Sequence, residues 1–227
     1  AKFSPRAARS GVRATAGGGA WTCSSVCEID CYGDNASNKL RPRLRLGYAE
    51  AKRGALTLRG GQDWLPIAQQ NPGTIDFGIL SWGGNLWWRL PQLTARYDKG
   101  GMQYLVSLAQ HRVSNEQEQQ ELLPWVMGRI AATNVIADNT TLAVGGGVRS
   151  VTVGDVDYSP HVVAAELKAK LGDVTLTAEG YAGRGVGREF VHYGLDYNPD
   201  HVDGGVAIDS KGFFVSAGMP LTETVGV

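Results

Sequence analysis

The chain has 227 residues with 22 basic and 22 acidic side chains, so it lacks the general basic field that draws in nucleic acid or an anionic membrane surface. Hydrophobic residues make up 43% of it, yet no run approaches the roughly 20 consecutive apolar residues of a membrane helix, which excludes helical spanning. The 31 glycines, set among short runs of Val, Thr, Leu and Tyr, favour strands and tight turns.

Alternating segments recur at 8–16, 20–32, 40–52, 55–61, 91–98, 102–114, 123–137, 141–153, 161–171, 174–184, 204–210 and 212–219, which predicts about twelve strands. In 20–32, Trp21, Cys23, Cys27, Ile29 and Cys31 share one face, and Thr22, Ser24, Glu28, Asp30 and Tyr32 the other. Cysteines four apart on one strand face stand about 13 Å from their neighbours at roughly 3.3 Å per residue, too far to pair. They also miss the spacing of a zinc site and read as small apolar side chains on a buried or lipid-facing surface. In 40–52, Leu40, Pro42, Leu44, Leu46 and Tyr48 oppose Arg41, Arg43 and Arg45, and Glu28 and Asp30 would face these arginines across the strand pair. Segment 161–171 sets Val163, Ala165, Leu167, Ala169 and Leu171 against Glu166, Lys168 and Lys170, and 174–184 sets Val174, Leu176 and Ala178 against Thr175, Thr177 and Glu179.

The separators alternate in length. Short ones at 17–19, 53–54, 99–101, 138–139, 172–173 and 211–212 alternate with longer ones, the pattern of short turns on one rim and long loops on the other in an antiparallel transmembrane β-barrel. Trp21, Tyr48, Tyr97 and Trp125 fall near strand ends, where an interfacial girdle would place them. A soluble sandwich alternates as well, so a secreted β-sandwich that binds a carbohydrate or other ligand, using Trp82, Trp87 and Trp88, remains the rival reading.

Residues 62–90 break the rhythm and are rich in Gly, Pro, Asn and Trp. A loop of this length has its natural place folded into the bore of a barrel, where Asp63, Asp76 and Arg89 would line a constriction; a surface loop is the plainer alternative. If the charged faces point inward, Arg41, Arg43, Arg45, Arg59 and Arg96, joined by Arg89, form a basic column that suits carboxylate or phosphate. Lys168 would add to it, and Glu28, Asp30, Glu50 and Asp63 would either shape this field or cancel it. The four histidines, His111, His161, His192 and His201, are scattered, and no HExxH, GxSxG or P-loop pattern occurs, so neither an active site nor a cofactor is expected. Gly145-Gly-Gly147 precedes no helix and reads as strand flexibility. Segment 189–203, with Glu189, Asp196, Asn198, Asp200 and Asp203, reads as an extracellular loop, with calcium binding as the alternative.

An ordered series of short motifs carries a resemblance over most of the chain. Ser4-Pro-Arg-Ala-Ala-Arg-Ser-Gly-Val12, Glu28-Ile-Asp-Cys-Tyr-Gly33, Arg41-x-Arg-x-Arg45, Gly61-Gln-Asp-Trp64, Asn71-Pro-Gly-Thr-Ile-Asp-Phe77 and Arg89-Leu-Pro-Gln-Leu-Thr-Ala-Arg96 resemble the DcaP-like porins of Gram-negative outer membranes. The resemblance implies a sixteen-stranded barrel in outer-membrane lipid, assembled as a homotrimer and narrowed by inward loops. It implies passive uptake of small, often dicarboxylic, organic anions, with Arg41, Arg43, Arg45, Arg59 and Arg96 near the narrow zone. Ala7 and Ala8 stand where the family tends to have polar residues, and Cys31 where it has an aromatic one. The family also carries a helical segment before its first strand and an aromatic residue at its C-terminus, whereas this sequence ends Glu223-Thr-Val-Gly-Val227. About four strands are therefore expected beyond those read here, with 1–227 as a single, incomplete barrel domain.

Overall fold

The computed structural model describes residues 8–33, 41–72, 84–112, 123–153, 156–191, 195–198 and 206–220. The strands are β1 (Ser10–Gly18), β2 (Trp21–Asp30), β3 (Arg43–Arg53), β4 (Leu56–Trp64), β5 (Arg89–Lys99), β6 (Met102–Ala109), β7 (Trp125–Thr133), β8 (Thr140–Val148), β9 (Val151–Val153), β10 (Val156–Tyr158), β11 (His161–Leu171), β12 (Val174–Arg184), β13 (Tyr197–Asn198), β14 (Val206–Ala207) and β15 (Asp209–Gly218). A π-helical turn, Gly187–Val191, follows β12. Eleven strands form one sheet in the order β1-β2-β3-β4-β5-β6-β7-β8-β11-β12-β15, while β9–β10 and β13–β14 are small ribbons. Every neighbouring pair is antiparallel. Among the described residues no helix is long and apolar enough to cross a membrane.

Turn chemistry sets this up-and-down order. Gly100 and Gly101 both lie at positive φ, 59° and 79°, and close β5 onto β6 with the two-residue turn that matches strand twist. Gly19-Ala20, Gly54-Ala55 and Gly172-Asp173 close their hairpins in the same way, and 134–139 joins β7 to β8. These turns share one rim; the other carries the long connections 31–42, 65–88, 110–124, 149–160 and 185–208.

Several expected boundaries differ: β6 ends at Ala109 where 114 was expected, β7 at Thr133 where 137 was expected, and β4 runs to Trp64. Lys211-Gly212 does not divide two strands: β15 runs through it, with Lys211 opposite Ala182 and Gly212 opposite Tyr181. This glycine answers to a close approach, because a Cβ there would meet Gly84 Cα at 2.7 Å and the Tyr181 ring at 2.8 Å. The sheet therefore has eleven strands where about twelve were read. The expected segment 141–153 also ends early, because Arg149 N donates to Pro160 O and the chain passes into the β9–β10 ribbon.

The two faces of the sheet differ in kind. One, the outer face, exposes Val12 (73%), Leu93, Val106, Val126, Val144, Val163 and Phe213 (76%) in adjacent strands, a continuous apolar band of the kind that lipid covers. The opposite, inner face is packed, and its core is not made by the sheet alone. Leu65, Ile67, Ala68 and Leu86 of the β4–β5 connection lie against Trp125, Met127, Val162, Ala164 and Tyr181, and Val186 and Phe190 close over them. Each fully buried apolar side chain of this kind contributes about 1.5–3 kcal/mol. Gly145 makes room, since a Cβ at that position would overlap the carbonyl of Ile67.

This packing predicts an asymmetry between two glycines of one wall. Gly145→Val should cost about 1–3 kcal/mol by overpacking and lower the temperature at which the folded form is lost in semi-native electrophoresis. Gly128→Val should leave that temperature unchanged, since the nearest atom to a Cβ there is Leu105 O at 3.7 Å.

Candidate functional site

The charged part of the inner face begins with an irregularity in β3. Glu28 pairs with Leu46 but Ile29 pairs with Leu44, so Arg45 is the extra residue of a β-bulge. A bulge shifts side-chain alternation by one residue. Arg43 and Arg45 therefore share the inner face with Tyr48 and Glu50, and the expected grouping of Tyr48 with Leu44 opposite the arginines does not hold.

Asp30, 1% exposed at the end of β2, is the centre of the first cluster. Arg43 grips it with two bonds, Nε to Oδ1 at 3.0 Å and Nη2 to Oδ2 at 2.7 Å. Arg45 Nη1 donates to Oδ2 at 2.9 Å, and Tyr32 N donates to Oδ1 at 3.0 Å. Arg45 also donates through Nε to Glu28 at 2.6 Å. A buried carboxylate is tolerated when its lone pairs are met by charged donors, which this arrangement provides.

A second cluster lies on β3 and β4. Arg59 donates to Glu50 and to Asp63 and stacks on the Tyr48 ring, 4.2 Å from its centroid. A third draws on β5, β6, β7 and β11 and passes over β8. Arg96 donates to Asp98 at 2.9 Å, Asp98 accepts from Gln103 at 3.0 Å, and Gln103 accepts from Arg129 at 2.9 Å. Arg129 in turn donates to Glu166 at 2.7 Å, with both side chains buried. The other oxygen of Glu166 accepts Gln69 N at 2.5 Å and Gln70 N at 2.8 Å, and Glu179 Oε1 accepts Leu86 N at 2.8 Å. Two wall carboxylates thus hold the two described arms of the β4–β5 connection.

The remaining candidates are dispersed. Arg41 lies exposed in the β2–β3 connection, where its carbonyl accepts Gly33 N. Arg89 opens β5 with its guanidinium 4.8 Å from the Trp64 ring centroid, and its Nη1 is buried with no hydrogen bond among the described residues. Lys168 sits exposed on the inner face between Thr141 and Thr177. Arg13 and Lys52 share that face, and among the described residues none of these three cations has an ion pair. Ala7, Leu40, Asp76, Trp82, His192, Asp200, His201 and Asp203 lie outside the described residues. Cys23 and Cys27 are free and exposed on the outer face, and Cys31 lies just past the end of β2. The Trp87–Trp88 pair packs edge to face at 5.1 Å, and Arg112 covers the face of Trp88 at 4.0 Å, so this pair does not form an open platform for a sugar ring.

Residue patterning alone missed Asp98, Gln103 and Arg129, and it gave Glu166 and Glu179 no role beyond a polar face. The signal was present: Arg129 follows Trp125 and Met127 on a buried face, and Glu166 follows Val162 and Ala164. A lone charge among buried apolar positions needs a partner, and here the two lone charges meet.

No protein-family model matches the chain and no curated protein is similar to it. Solved structures are. The chain is similar to the outer membrane channel DcaP of Acinetobacter baumannii, with TM-score 0.84 and 18% identity over 98% of this chain and 64% of that one. It is similar to an anion-selective porin from Comamonas acidovorans, with TM-score 0.64 and 16% identity over 96% and 66% of the two chains. A loop-deletion mutant of OmpT, an outer membrane protein of Vibrio cholerae, follows with TM-score 0.60 and 14% identity over 96% and 70%. The fold is that of outer-membrane β-barrel porins, and the chain spans 64% of the length of the Acinetobacter channel.

The Arg129–Glu166 contact carries a prediction about stability. Glu166→Ala leaves a buried guanidinium uncompensated and two loop N–H groups without an acceptor, and should cost about 3–5 kcal/mol. Glu166→Gln keeps an acceptor for the loop and should cost less, and thermal unfolding in detergent ranks the two.

Proposed function

We propose that the chain forms the wall of an outer-membrane pore for passive uptake of small solutes, with organic anions such as dicarboxylates preferred. The observation that carries this reading is the division of the sheet: an apolar outer face, and an inner face of arginines and carboxylates on adjacent strands. Such a wall suits lipid on one side and a water-filled path on the other. The solved relatives include an outer membrane channel and a porin described as anion-selective, which supports the same reading.

The arginines Arg43, Arg45, Arg59 and Arg96 each have an acidic partner, so their fields largely cancel beyond about one Debye length, ~8 Å at physiological salt. Within reach of a passing carboxylate they still act, because a guanidinium has five donors and these contacts occupy only part of them. The longer-range preference for anions rests on Arg13, Lys52 and Lys168. In this reading the β4–β5 connection narrows the bore, with Asp63 and Arg89 at its roots. Copies assemble as a trimer through the outer face of β1–β5, where Ala14, Ala16, Ser25, Ala49, Ala51 and Gly60 leave a shallow depression of about 920 Å³. Transport of this kind involves no bond-making step and no cofactor.

The full-length protein, reconstituted in a planar bilayer under a salt gradient, should give a stable conductance whose reversal potential favours anions. Lys52→Glu with Lys168→Glu removes two cations that hold no ion pair among the described residues, so the barrel should fold normally while the preference falls or reverses. A protein that stays monodisperse without detergent and never conducts would overturn the reading.

A further inference from the structure

On the long-loop rim, three connections meet at one carboxylate. Glu189 in the π-helical turn is 2% exposed, and its Oε1 accepts Arg112 N at 2.8 Å from the β6–β7 connection and Trp125 Nε1 at 2.9 Å from the start of β7. Arg149 Nη1 of the β8–β11 connection stands 3.9 Å from the same oxygen. The turn is fastened elsewhere by Arg112 Nη1 to Arg188 O at 2.8 Å, and by Asp196, which accepts the N–H groups of Arg188 and Glu189. Phe190, fully buried, rests on Trp125 with ring centroids 4.8 Å apart, so the turn caps the core that fills the inner face.

We propose that Glu189 is a proton-linked anchor: protonated, it holds the Gly187–Val191 turn down over the inner face, and ionised, it weakens that hold. Arg149 Nη1 stands too far for a direct hydrogen bond, so among the described residues Oε1 of an ionised Glu189 accepts from neutral donors, against the loss of water. Protonated, it still offers its carbonyl oxygen to those donors. Burial pushes the carboxyl up to about 7 from its ordinary 4.5, against the bonds from Arg112 and Trp125 and the charge of Arg149. A raised value in the docked state means that docking takes up a proton. Docking is therefore fully favoured below the ordinary glutamate range and weakens as pH rises through about 7.

The other charged groups at the site act in known directions. Asp196 is raised by burial, against the bonds from Arg188 and Glu189, and works in the same sense as Glu189. His111, on the same connection as Arg112, is lowered by burial and then by Arg149, so its protonation opposes docking below its ordinary 6.5. The remaining charged groups at the site are the guanidinium groups of Arg112, Arg149 and Arg188. Glu189 and Asp196 thus favour docking at low pH, His111 offsets part of this below 6.5, and docking falls on the alkaline side.

Hydrogen exchange of the amides of 187–191 in the full-length protein, corrected for intrinsic rates, tests the anchor. Between pH 6 and 8.5, protection should fall by up to about tenfold, the linkage of a group at about 7 less what His111 offsets near pH 6. In Glu189→Gln, which keeps the acceptor without the charge, protection should be high and flat. Trp125→Phe removes a donor to the ionised form and should move the wild-type midpoint to higher pH. Flat wild-type protection, an unchanged fall in Glu189→Gln, or an unmoved midpoint in Trp125→Phe would each overturn the proposal. The consequence for conductance, a rise with pH that Glu189→Gln abolishes, rests on the pore reading. A protein that follows the exchange prediction without conducting would keep the anchor and sink the pore.

Discussion

A chain segment laid against the inside of a sheet brings peptide N–H groups that need acceptors, and the β4–β5 connection meets this need through the side chains of the opposite wall. Glu166 takes Gln69 N and Gln70 N, and Glu179 takes Leu86 N, with both carboxylates almost fully buried. A buried carboxylate costs several kcal/mol unless it is paired, which explains why Arg129 stands beside Glu166 on an otherwise apolar face. The surrounding choices follow from the same placement. Gly145 and Gly212 give backbone room, and Trp125, Met127, Val162 and Tyr181 fill the space beside the segment.

The wall is therefore divided by what faces it. From β6 to β12 the inner positions are largely apolar because a packed segment covers them. From β2 to β5 they carry ion pairs, and these pairs are built for position. Asp30 holds both Arg43 and the bulged Arg45, and Glu50 and Asp63 fix Arg59 from two strands. Acceptors on two sides fix where a guanidinium points, while removing most of its field at a distance. The proposed pore separates short-range contact from long-range attraction in this way, and assigns them to different residues.

The run of antiparallel strands and its alternating rims were legible because two-residue glycine turns and period-two alternation are local properties. The bulge at Arg45 was not, since a one-residue register shift leaves no mark in composition and reverses the face of every residue after it, Tyr48 and Glu50 included. Lys211-Gly212 misled for the opposite reason: a glycine that admits a neighbouring backbone looks in sequence like one that turns the chain. The pairing of Arg43, Arg45 and Arg59 with acids was one of two readings open to the sequence, and only the geometry of side chains across strands chose between them. Glu166 and Glu179 were assigned to a polar face because their acceptor role depends on residues 97 and 93 positions away.

The same device occurs at Glu166, Glu179 and Glu189, and the distance to a guanidinium separates the first from the last. Glu166 and Glu189 both accept N–H groups from a foreign segment while almost wholly buried. Arg129 reaches Glu166 at 2.7 Å, within direct hydrogen-bonding range, so the charge that burial opposes is met where it sits. Arg149 stops 3.9 Å from Glu189, and two of its own nitrogens, Nε and Nη2, are buried with no hydrogen bond among the described residues. Coulombic attraction at that range remains, but the directional bond does not, and desolvation outweighs it. The arm at Gln69 and Gln70 is thereby fixed by an ion pair, while the turn above it depends on a proton.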